Sequence, residues 1–419
     1  MSTNYIKSGS IDIKSITMSN LTGSKNHDLR GQVIGFNIYE DILFPVVRAS
    51  FTFSDNIDIL TGFPIIGEEI IEVEFVTSGY DETVKYKFHV KSVENQAATP
   101  QNKGRMYIVH ATSEEFVTNN VKYVTKKYSL GAGDIVQNIA KEFLNTDKNV
   151  SVGDVPKGIQ EILISRLKPL QAIDMVRRRS VSEKYLSSTY VFFENQTGFN
   201  FCTVEFLMDN LKSKVKDKIF FYDTAPDTDA KNMNTRNILS IENVSQVNNT
   251  KKLAQGSLNN IVKRFDLMTG EMTVTQYKNT EQQGKFKYAS DKPVGLNTTH
   301  YEDTYGAEAS QVMVVPFSSH LPETFTAESM GAKISFATKL SQNIFHAHVH
   351  GDSALTAGDV IEIRLPNAIG GTKNQEENRL ISGNYLMSKV RHSVVCPLGQ
   401  EKTYSCSLEL IKGTNEDNS

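Results

Sequence analysis

Phe345-His346-Ala347-His348-Val349-His350 sets three imidazoles at every second position. On a strand they share one face, and neutral imidazoles so placed could hold zinc or iron. The plainer reading is a solvated strand face opposite a core face of Phe345, Ala347 and Val349. No His-Glu-x-x-His motif is present, and no Asp or Glu follows at a metallohydrolase spacing. Three histidines alone do not fix a metal. His346, His348 and His350 are therefore the candidates for a metal-dependent enzyme, while the expectation is that no metal is held.

Three further groups could do chemistry. Arg177-Arg178-Arg179 could form a phosphate or partner patch, or could be three cations in the last turn of a helix. Gly131-Ala132-Gly133-Asp134 precedes a helical pattern but lacks the third glycine of a dinucleotide turn. Glu68, Glu69, Glu72 and Glu74 fit a solvated strand pattern better than a catalytic carboxylate pair. There is no phosphate loop and no Gly-x-Ser-x-Gly elbow. No catalytic or cofactor-binding residue is assigned, no cofactor is expected, and the chain is not read as an enzyme.

The elements that carry these residues are mostly strands. Val47, Ala49, Phe51 and Phe53 alternate with polar residues, as do Ile71, Val73 and Phe75, then Val84, Tyr86, Phe88 and Val90, then Tyr107, Val109 and Ala111. That period of two marks strands with one buried face. Near residue 116 the period lengthens: Ile135, Val136, Ile139, Ala140, Phe143 and Leu144 recur at helical spacing, with Asp134 in the first turn. A second helix opens at Pro169, with Leu170, Ile173 and Val176 as its apolar stripe. A hairpin follows, Tyr190-Val191-Phe192-Phe193, a turn at Asn195 to Gly198, then Phe199-Asn200-Phe201. Strands resume at 219–222 and 238–247. Residues 251–325 read as an insertion, partly loop, with one clear strand at Met272-Thr273-Val274-Thr275, and a helix is expected over 327–340.

One β-module occurs twice, about 290 residues apart. Gly67-Glu68-Glu69-Ile70-Ile71-Glu72-Val73-Glu74-Phe75 is echoed by Gly358-Asp359-Val360-Ile361-Glu362-Ile363-Arg364-Leu365, with one residue skipped. Phe88-His89-Val90-Lys91-Ser92-Val93 is echoed by Tyr385-Leu386-Met387-Ser388-Lys389-Val390. A third echo pairs Met106 to Ala111 with Tyr404 to Leu410, and a longer loop after Pro366 accommodates the changed spacing.

Composition narrows the classes. A formal charge of −3 gives no bulk attraction to nucleic acid or anionic membrane. No apolar run reaches the ~18 residues of a membrane span. Cys202, Cys396 and Cys406 show no paired spacing, which argues against a disulfide framework or zinc ribbon. The N-terminus has no basic start or apolar stretch, so folding in a cytoplasm is expected.

Three segments together resemble the baseplate hub proteins of contractile-tailed bacteriophages. They are Tyr39-Glu40-Asp41-Ile42-Leu43-Phe44-Pro45 with Ser54-Asp55-Asn56 and Leu60-Thr61-Gly62-Phe63-Pro64-Ile65-Ile66-Gly67-Glu68-Glu69; Leu167-Lys168-Pro169-Leu170-Gln171-Ala172-Ile173 with the hairpin above; and Gly351-Asp352, Leu355-Thr356-Ala357-Gly358-Asp359 and Ser382-Gly383-Asn384-Tyr385-Leu386. The resemblance extends to the hub part of type VI secretion spike proteins. It covers most of the chain in order and is weakest over 250–325.

The resemblance implies an α+β, mainly β fold. Two tail-tube-like antiparallel β-barrel or sandwich modules would occupy 1–115 and 216–250 with 326–413. A mixed α/β domain would fill 116–215, an insertion subdomain 251–325 and a frayed tail 414–419. It implies a homotrimer whose six modules make a pseudo-six-fold ring, an adaptor between a six-fold tail tube or tube-initiator ring and a three-fold central spike. Implied partners are the spike, the tube, wedge or other baseplate proteins, and the tape measure protein in the channel, with no specific nucleic-acid binding and no membrane insertion. The implied location is the virion tail baseplate, assembled in the host bacterial cytoplasm. The chain ends just after the second module, so a separate spike protein is expected. A hub of a phage-derived injection system such as a tailocin fits the same residues, and the interface residues stay unassigned.

Overall fold

The computed structural model describes residues 9–23, 26–55, 65–78, 81–96, 105–185, 187–209, 219–221, 236–243, 254, 256, 259–278, 311–317, 330–331, 333–334, 344–365, 382–397 and 399–412. The Phe63-Pro64 turn, the strand end at 244–247, the loop after Pro366 and the tail 414–419 lie outside them.

Seven strands make the N-terminal module: β1 (Ile11–Ser19), β2 (Asn26–Asp28), β3 (Val33–Asp41), β4 (Arg48–Asp55), β5 (Ile70–Thr77), β6 (Val84–Gln96) and β7 (Arg105–Thr112). The middle region holds α1 (Glu114–Val121), β8 (Val124–Gly131), α2 (Ala132–Ile139) running into a π-turn at Ala140–Leu144, β9 (Val150–Val152), β10 (Ile159–Leu167), α3 (Pro169–Arg179), β11 (Tyr190–Asn195), β12 (Gly198–Thr203) and α4 (Val204–Asp209). Then come β13 (Ile219–Phe221), β14 (Ile238–Asn243), β15 (Asn259–Asp266), β16 (Met272–Lys278) and β17 (Gln311–Phe317). The chain closes with β18 (Ile344–His350), β19 (Val360–Arg364), β20 (Gly383–Val395) and β21 (Thr403–Lys412).

The fold is α+β and mainly β, with mostly antiparallel sheets and, among the described residues, no closed barrel. Among the described residues thirteen strands form one sheet, in the order β14-β18-β21-β20-β3-β4-β7-β6-β5-β1-β2, with β19 beside β20 and β13 beside β19. The order β3-β4-β7-β6-β5-β1 is repeated as β14-β18-β21-β20-β19-β13. The sequence echo is thus a structural duplication. The copies differ at the outermost strand: β1 runs antiparallel to β5, whereas β13 runs parallel to β19.

The repeated strands form where alternation gives each an apolar face. Phe36, Phe51, Phe53, Phe75, Phe88 and Tyr107 are all nearly inaccessible, and their rings meet at centroid distances of 5.4 to 6.2 Å from Tyr107 through Phe53, Phe51 and Phe36 to Phe75, with Phe88 edge-on against Phe51. Burying a side chain of this size contributes roughly 1.5–3 kcal/mol. The second module adds Tyr385, Leu386, Val390, Leu408 and Leu410 to the same continuous core, so the modules share one apolar interior.

The hairpin β11–β12 separates this core from a second one in the middle region. Val191 and Phe193 belong to the first core; Tyr190, Phe192, Phe199 and Phe201 belong to the second, with Ile135, Val136, Ile139, Ile164, Ile173 and Val176. Tyr190 stacks on Phe201 at 4.8 Å and Phe192 on Phe199 at 5.2 Å. Successive residues face opposite cores, which requires a strand apolar on both faces.

Some expectations differ from the structure. Residues 251–325 contain a three-stranded sheet, β16-β15-β17, rather than one strand. In β15 the Ile261-Val262 pair is flanked by Asn259, Asn260, Lys263 and Arg264, so hydropathy hides the strand, yet Asn260 is buried and donates to Gly256 O at 2.9 Å. Of the helix expected over 327–340, only Met330, Gly331, Lys333 and Ile334 are described, all helical.

Candidate functional site

The feature that best fits a function is the seam where the two modules meet. β3 pairs antiparallel with the C-terminal half of β20, from Lys389 opposite Asp41 to Val395 opposite Gly35. The N-terminal half of β20 pairs with β19 instead, so this one strand serves its own module and then the other. The ladder is extended by the Cys396 N–H, which donates to Ile34 O at 2.5 Å, and by the Ile42 N–H, which donates to Ser388 O at 3.0 Å. Outside the ladder, the Arg391 guanidinium donates to Asn37 Oδ1 at 2.9 and 3.0 Å. Gly35 is required here: a Cβ would stand 2.7 Å from the Val394 carbonyl oxygen.

Glu40 anchors the seam from inside. It follows Phe36 and Ile38 on the inward face of β3 and is 1 % exposed. Its carboxylate accepts from the Thr356 hydroxyl at 2.7 Å, the Ala357 N–H at 2.8 Å and the Tyr86 hydroxyl at 2.9 Å. Burial pushes its pKa up to about 7 although each of these donors pulls it down. The Asn195 amide donates to Ala357 O at 3.0 Å, which brings the middle-region hairpin to the same loop. Thr77 and Ser353 add reciprocal bonds between the modules: the Thr77 N–H reaches Ser353 Oγ at 3.2 Å, and the Ser353 N–H reaches Thr77 Oγ1 at 2.8 Å.

A second buried carboxylate, Glu194 on β11, fixes the middle region to the first module. It accepts from the Val47 N–H at 2.9 Å and the Ser113 hydroxyl at 2.6 Å. Lys148 Nζ lies 2.7 Å from both Glu194 and Glu115. Burial raises the pKa of Glu194, and the Lys148 ammonium opposes that shift.

Near the seam, on the core side of β20, His392 is 1 % exposed. Its Nδ1 is 2.7 Å from the Tyr404 hydroxyl and 3.4 Å from Cys406 Sγ. Burial pushes its pKa down to about 4. The Tyr404 ring packs edge-on against Phe75 of the first module at 5.9 Å.

The residues singled out by sequence go elsewhere. His346, His348 and His350 do share the outer side of β18, while Phe345, Ala347 and Val349 face the core. They have separate partners: His346 lies 3.6 Å from Glu409, His348 lies 3.0 Å from the Ser407 hydroxyl, and His350 is half-buried beside Gly9. Among the described residues no group of three His, Cys, Asp or Glu side chains could hold a metal ion. Arg177 and Arg178 end α3 and pair with Asp174 at 2.5 and 2.7 Å, and Arg177 also donates to Tyr190 O at 2.8 Å. Gly133 is a packing residue, since a Cβ would stand 3.0 Å from Val152. Glu69 departs from the solvated-face expectation: it is 3 % exposed and accepts the N–H groups of Ile66 and Gly67 at 2.7 and 2.9 Å, closing a turn in which Gly67 has φ +95°. The three cysteines are buried and none is in a disulfide, and among the described residues no helix is long and apolar enough to cross a membrane.

Glu40, Glu194, Lys148 and His392 were not singled out by sequence reasoning as structural anchors. For Glu40 and His392 a signal exists: each is an ionisable residue on the apolar face of an alternating strand, after Phe36 and Ile38 in one case and between Val390 and Val394 in the other. For Lys148 no local signal stands out.

A duplicated β-module joined edge to edge, with a mixed domain docked by a hairpin, defines a fold seen in phage tail proteins. The chain is similar to a tail protein from Neisseria meningitidis MC58, at 12% identity over 96% of each chain, with a TM-score of 0.58. It is also similar to the 43 kDa tail protein of prophage MuSo2 from Shewanella oneidensis, at 10% identity over 96% of this chain and 99% of that one, with a TM-score of 0.54. No family model matches the chain, and no curated protein sequence matches it.

Proposed function

We propose that the chain is a structural, non-enzymatic hub of a contractile phage baseplate. Three copies would close a ring of six modules that joins a six-fold tail tube to a three-fold central spike. The observation that carries this reading is the β3–β20 seam: two modules of the same strand order are already joined side by side within one chain. A ring needs one contact repeated by rotation. Two modules per chain let an intrachain and an interchain contact play nearly the same geometric part, so three chains present six near-equal units.

In this reading the module boundaries are 1–115 and 216–250 with 326–413, flanking the middle domain and the insertion. The ring's faces meet the tube or its initiator ring, the spike and the wedge proteins. Its channel passes the tape measure protein and then DNA, and the location is the virion baseplate, after assembly in the host cytoplasm. A formal charge of −3 suits a conduit that does not grip DNA. The tail-protein fold shared with the Neisseria and Shewanella proteins supports the assignment to a tail.

Native mass spectrometry of the chain bound to its spike tests the reading: three copies are expected, and two or six would refute it. Capsid genes beside the coding sequence would mark a phage hub; their absence beside a complete tail cluster would mark a phage-derived injection system.

A further inference from the structure

The middle region carries an exposed surface that the module seam does not use. α1 runs into β8 through Lys122 and Tyr123. On α1, Asn119 is buried and Phe116 packs against the second core. Val117 and Val121, one helical turn apart, face out instead, and Val121 is 71 % exposed. In the β8–β10 ribbon Val124, Tyr128, Ile162 and Ile164 are buried. Leu163 stands opposite Lys127 on the outward face and is 66 % exposed. Tyr123, between the helix and the ribbon, is exposed as well. Exposed apolar residues grouped in this way, rather than scattered singly, mark a surface that meets a partner.

Three contacts fasten the helix end to the ribbon and fix two cations there. Lys168 Nζ donates to Asn120 Oδ1 at 3.2 Å. The Arg166 guanidinium lies over the Tyr123 ring, 5.5 Å from its centroid. The Arg166 N–H donates to Thr125 Oγ1 at 3.3 Å. Arg166 sits at the bulge of β10 with φ +50°, a left-handed backbone that residues other than glycine rarely adopt. Bulges re-aim side chains, and this one sets the guanidinium on Tyr123. Among the described residues Lys127, Arg166 and Lys168 pair with no carboxylate. Glu161, the outward carboxylate of β10, lies on the far side of Leu163 from Arg166. The surface is thus apolar with a cationic border.

We propose that this surface docks an acidic amphipathic helix of another protein. Val117 and Val121 form an i, i+4 ridge, the shape that packs into the groove of a second helix. The unpaired cations beside that ridge complement carboxylates, and an arginine fork takes a carboxylate through two parallel hydrogen bonds. Helix borders hold carboxylates at set positions, which suits cations that are themselves fixed. A bilayer is the poorer match, because Arg166 and Lys168 are held against Tyr123 and Asn120 instead of reaching outward. A nucleic-acid backbone would meet valine and leucine at the centre of the surface. The proposal does not depend on the ring or on its number of chains.

Peptide binding to the full chain tests the proposal by fluorescence anisotropy. The probe is a labelled synthetic helix of about 20 residues, long enough to be helical in water, with leucine along one face and glutamate on both borders. A second peptide carries lysine in place of each glutamate. Arg166→Gly removes the guanidinium while suiting the positive φ, and Arg166→Gln stands in if the glycine variant melts early. Val121→Ser shortens the ridge. Val395→Ser, at an exposed position in the second module, is the control. The expected result is saturable binding of the glutamate peptide, weakened about fivefold or more by the Arg166 and Val121 variants and unchanged by Val395→Ser. Absence of saturable binding would overturn the proposal, as would binding that those variants leave unchanged or that the lysine peptide matches. Tighter binding of phosphatidylglycerol vesicles or of a duplex oligonucleotide, lost in the same variants, would overturn the helical partner.

Discussion

Glu40 and Thr356 stand 316 residues apart in sequence and 2.7 Å apart in space, with the Thr356 hydroxyl donating to the Glu40 carboxylate. The bond joins the inward face of the first module to the loop that opens β19 of the second. With the β3–β20 ladder it ties the two duplicated units together.

Replacing Glu40 should loosen the seam. Glu40→Ala leaves the Tyr86 hydroxyl, the Thr356 hydroxyl and the Ala357 N–H without their acceptor in a buried site. An unsatisfied buried polar group costs about 1–3 kcal/mol. Denaturant unfolding should show a loss of about 3 kcal/mol or more for Glu40→Ala and about 1 kcal/mol for Thr356→Ala. Equal losses for the two variants would show that Glu40 does not gather the three donors.

Gly351 marks a close approach. A Cβ there would stand 2.0 Å from Cγ of the Tyr404 ring, which itself packs against His392 and Phe75. Gly351→Ala should lower stability by about 1–3 kcal/mol through overpacking, and Gly351→Val by more. A melting temperature unchanged by Gly351→Ala would mean that the ring moves aside freely.

Lys148 bridges two carboxylates that are almost fully buried. Lys148→Met leaves Glu115 and Glu194 facing one another without a cation. Breaking such a partly buried cluster should cost roughly 2–4 kcal/mol at neutral pH. A further Glu194→Gln change should recover part of that loss, and denaturation of the single and double variants measures the recovery.

Acid sensitivity should contain a signature of His392. Its folded pKa of about 4 lies below the ordinary value of 6.5, so between these values the unfolded chain binds the extra proton. Stability from this group is therefore present above pH 6.5 and lost as pH falls toward 4, by roughly 3 kcal/mol in full. Glu40 acts in the opposite sense. Its folded pKa of about 7 lies above the ordinary 4.5, so its stabilising share is present below 4.5 and lost as pH rises through 7. Unfolding free energies from pH 4 to 7 should fall less steeply on acidification in His392→Gln than in the natural chain. An unchanged slope would contradict the buried, neutral imidazole.

Much of the fold was legible because a strand with one buried face writes its period into local sequence. The alternation through Ile71, Val73 and Phe75, and again through Ile361, Ile363 and Leu365, marked strands that hold equivalent places in the repeated order, β5 beside β6 and β19 beside β20. Pro169 opened its helix, and Tyr190 to Phe201 formed its hairpin. β15 was missed because polar residues carry it, Asn259 accepting from the Gln276 amide and Asn260 donating to Gly256 O, and Glu69 was misread because its turn partners are backbone amides.

The amino-acid sequence by itself determined the period, the duplication and the apolar inventory, all local properties of the chain. Tertiary structure decided which edges pair. A strand's outer N–H and C=O groups are chemically alike at every position, so nothing local tells β3 to choose β20. That choice follows from shared burial across hundreds of residues, with Glu40 closed by Thr356 only once both modules have folded against each other.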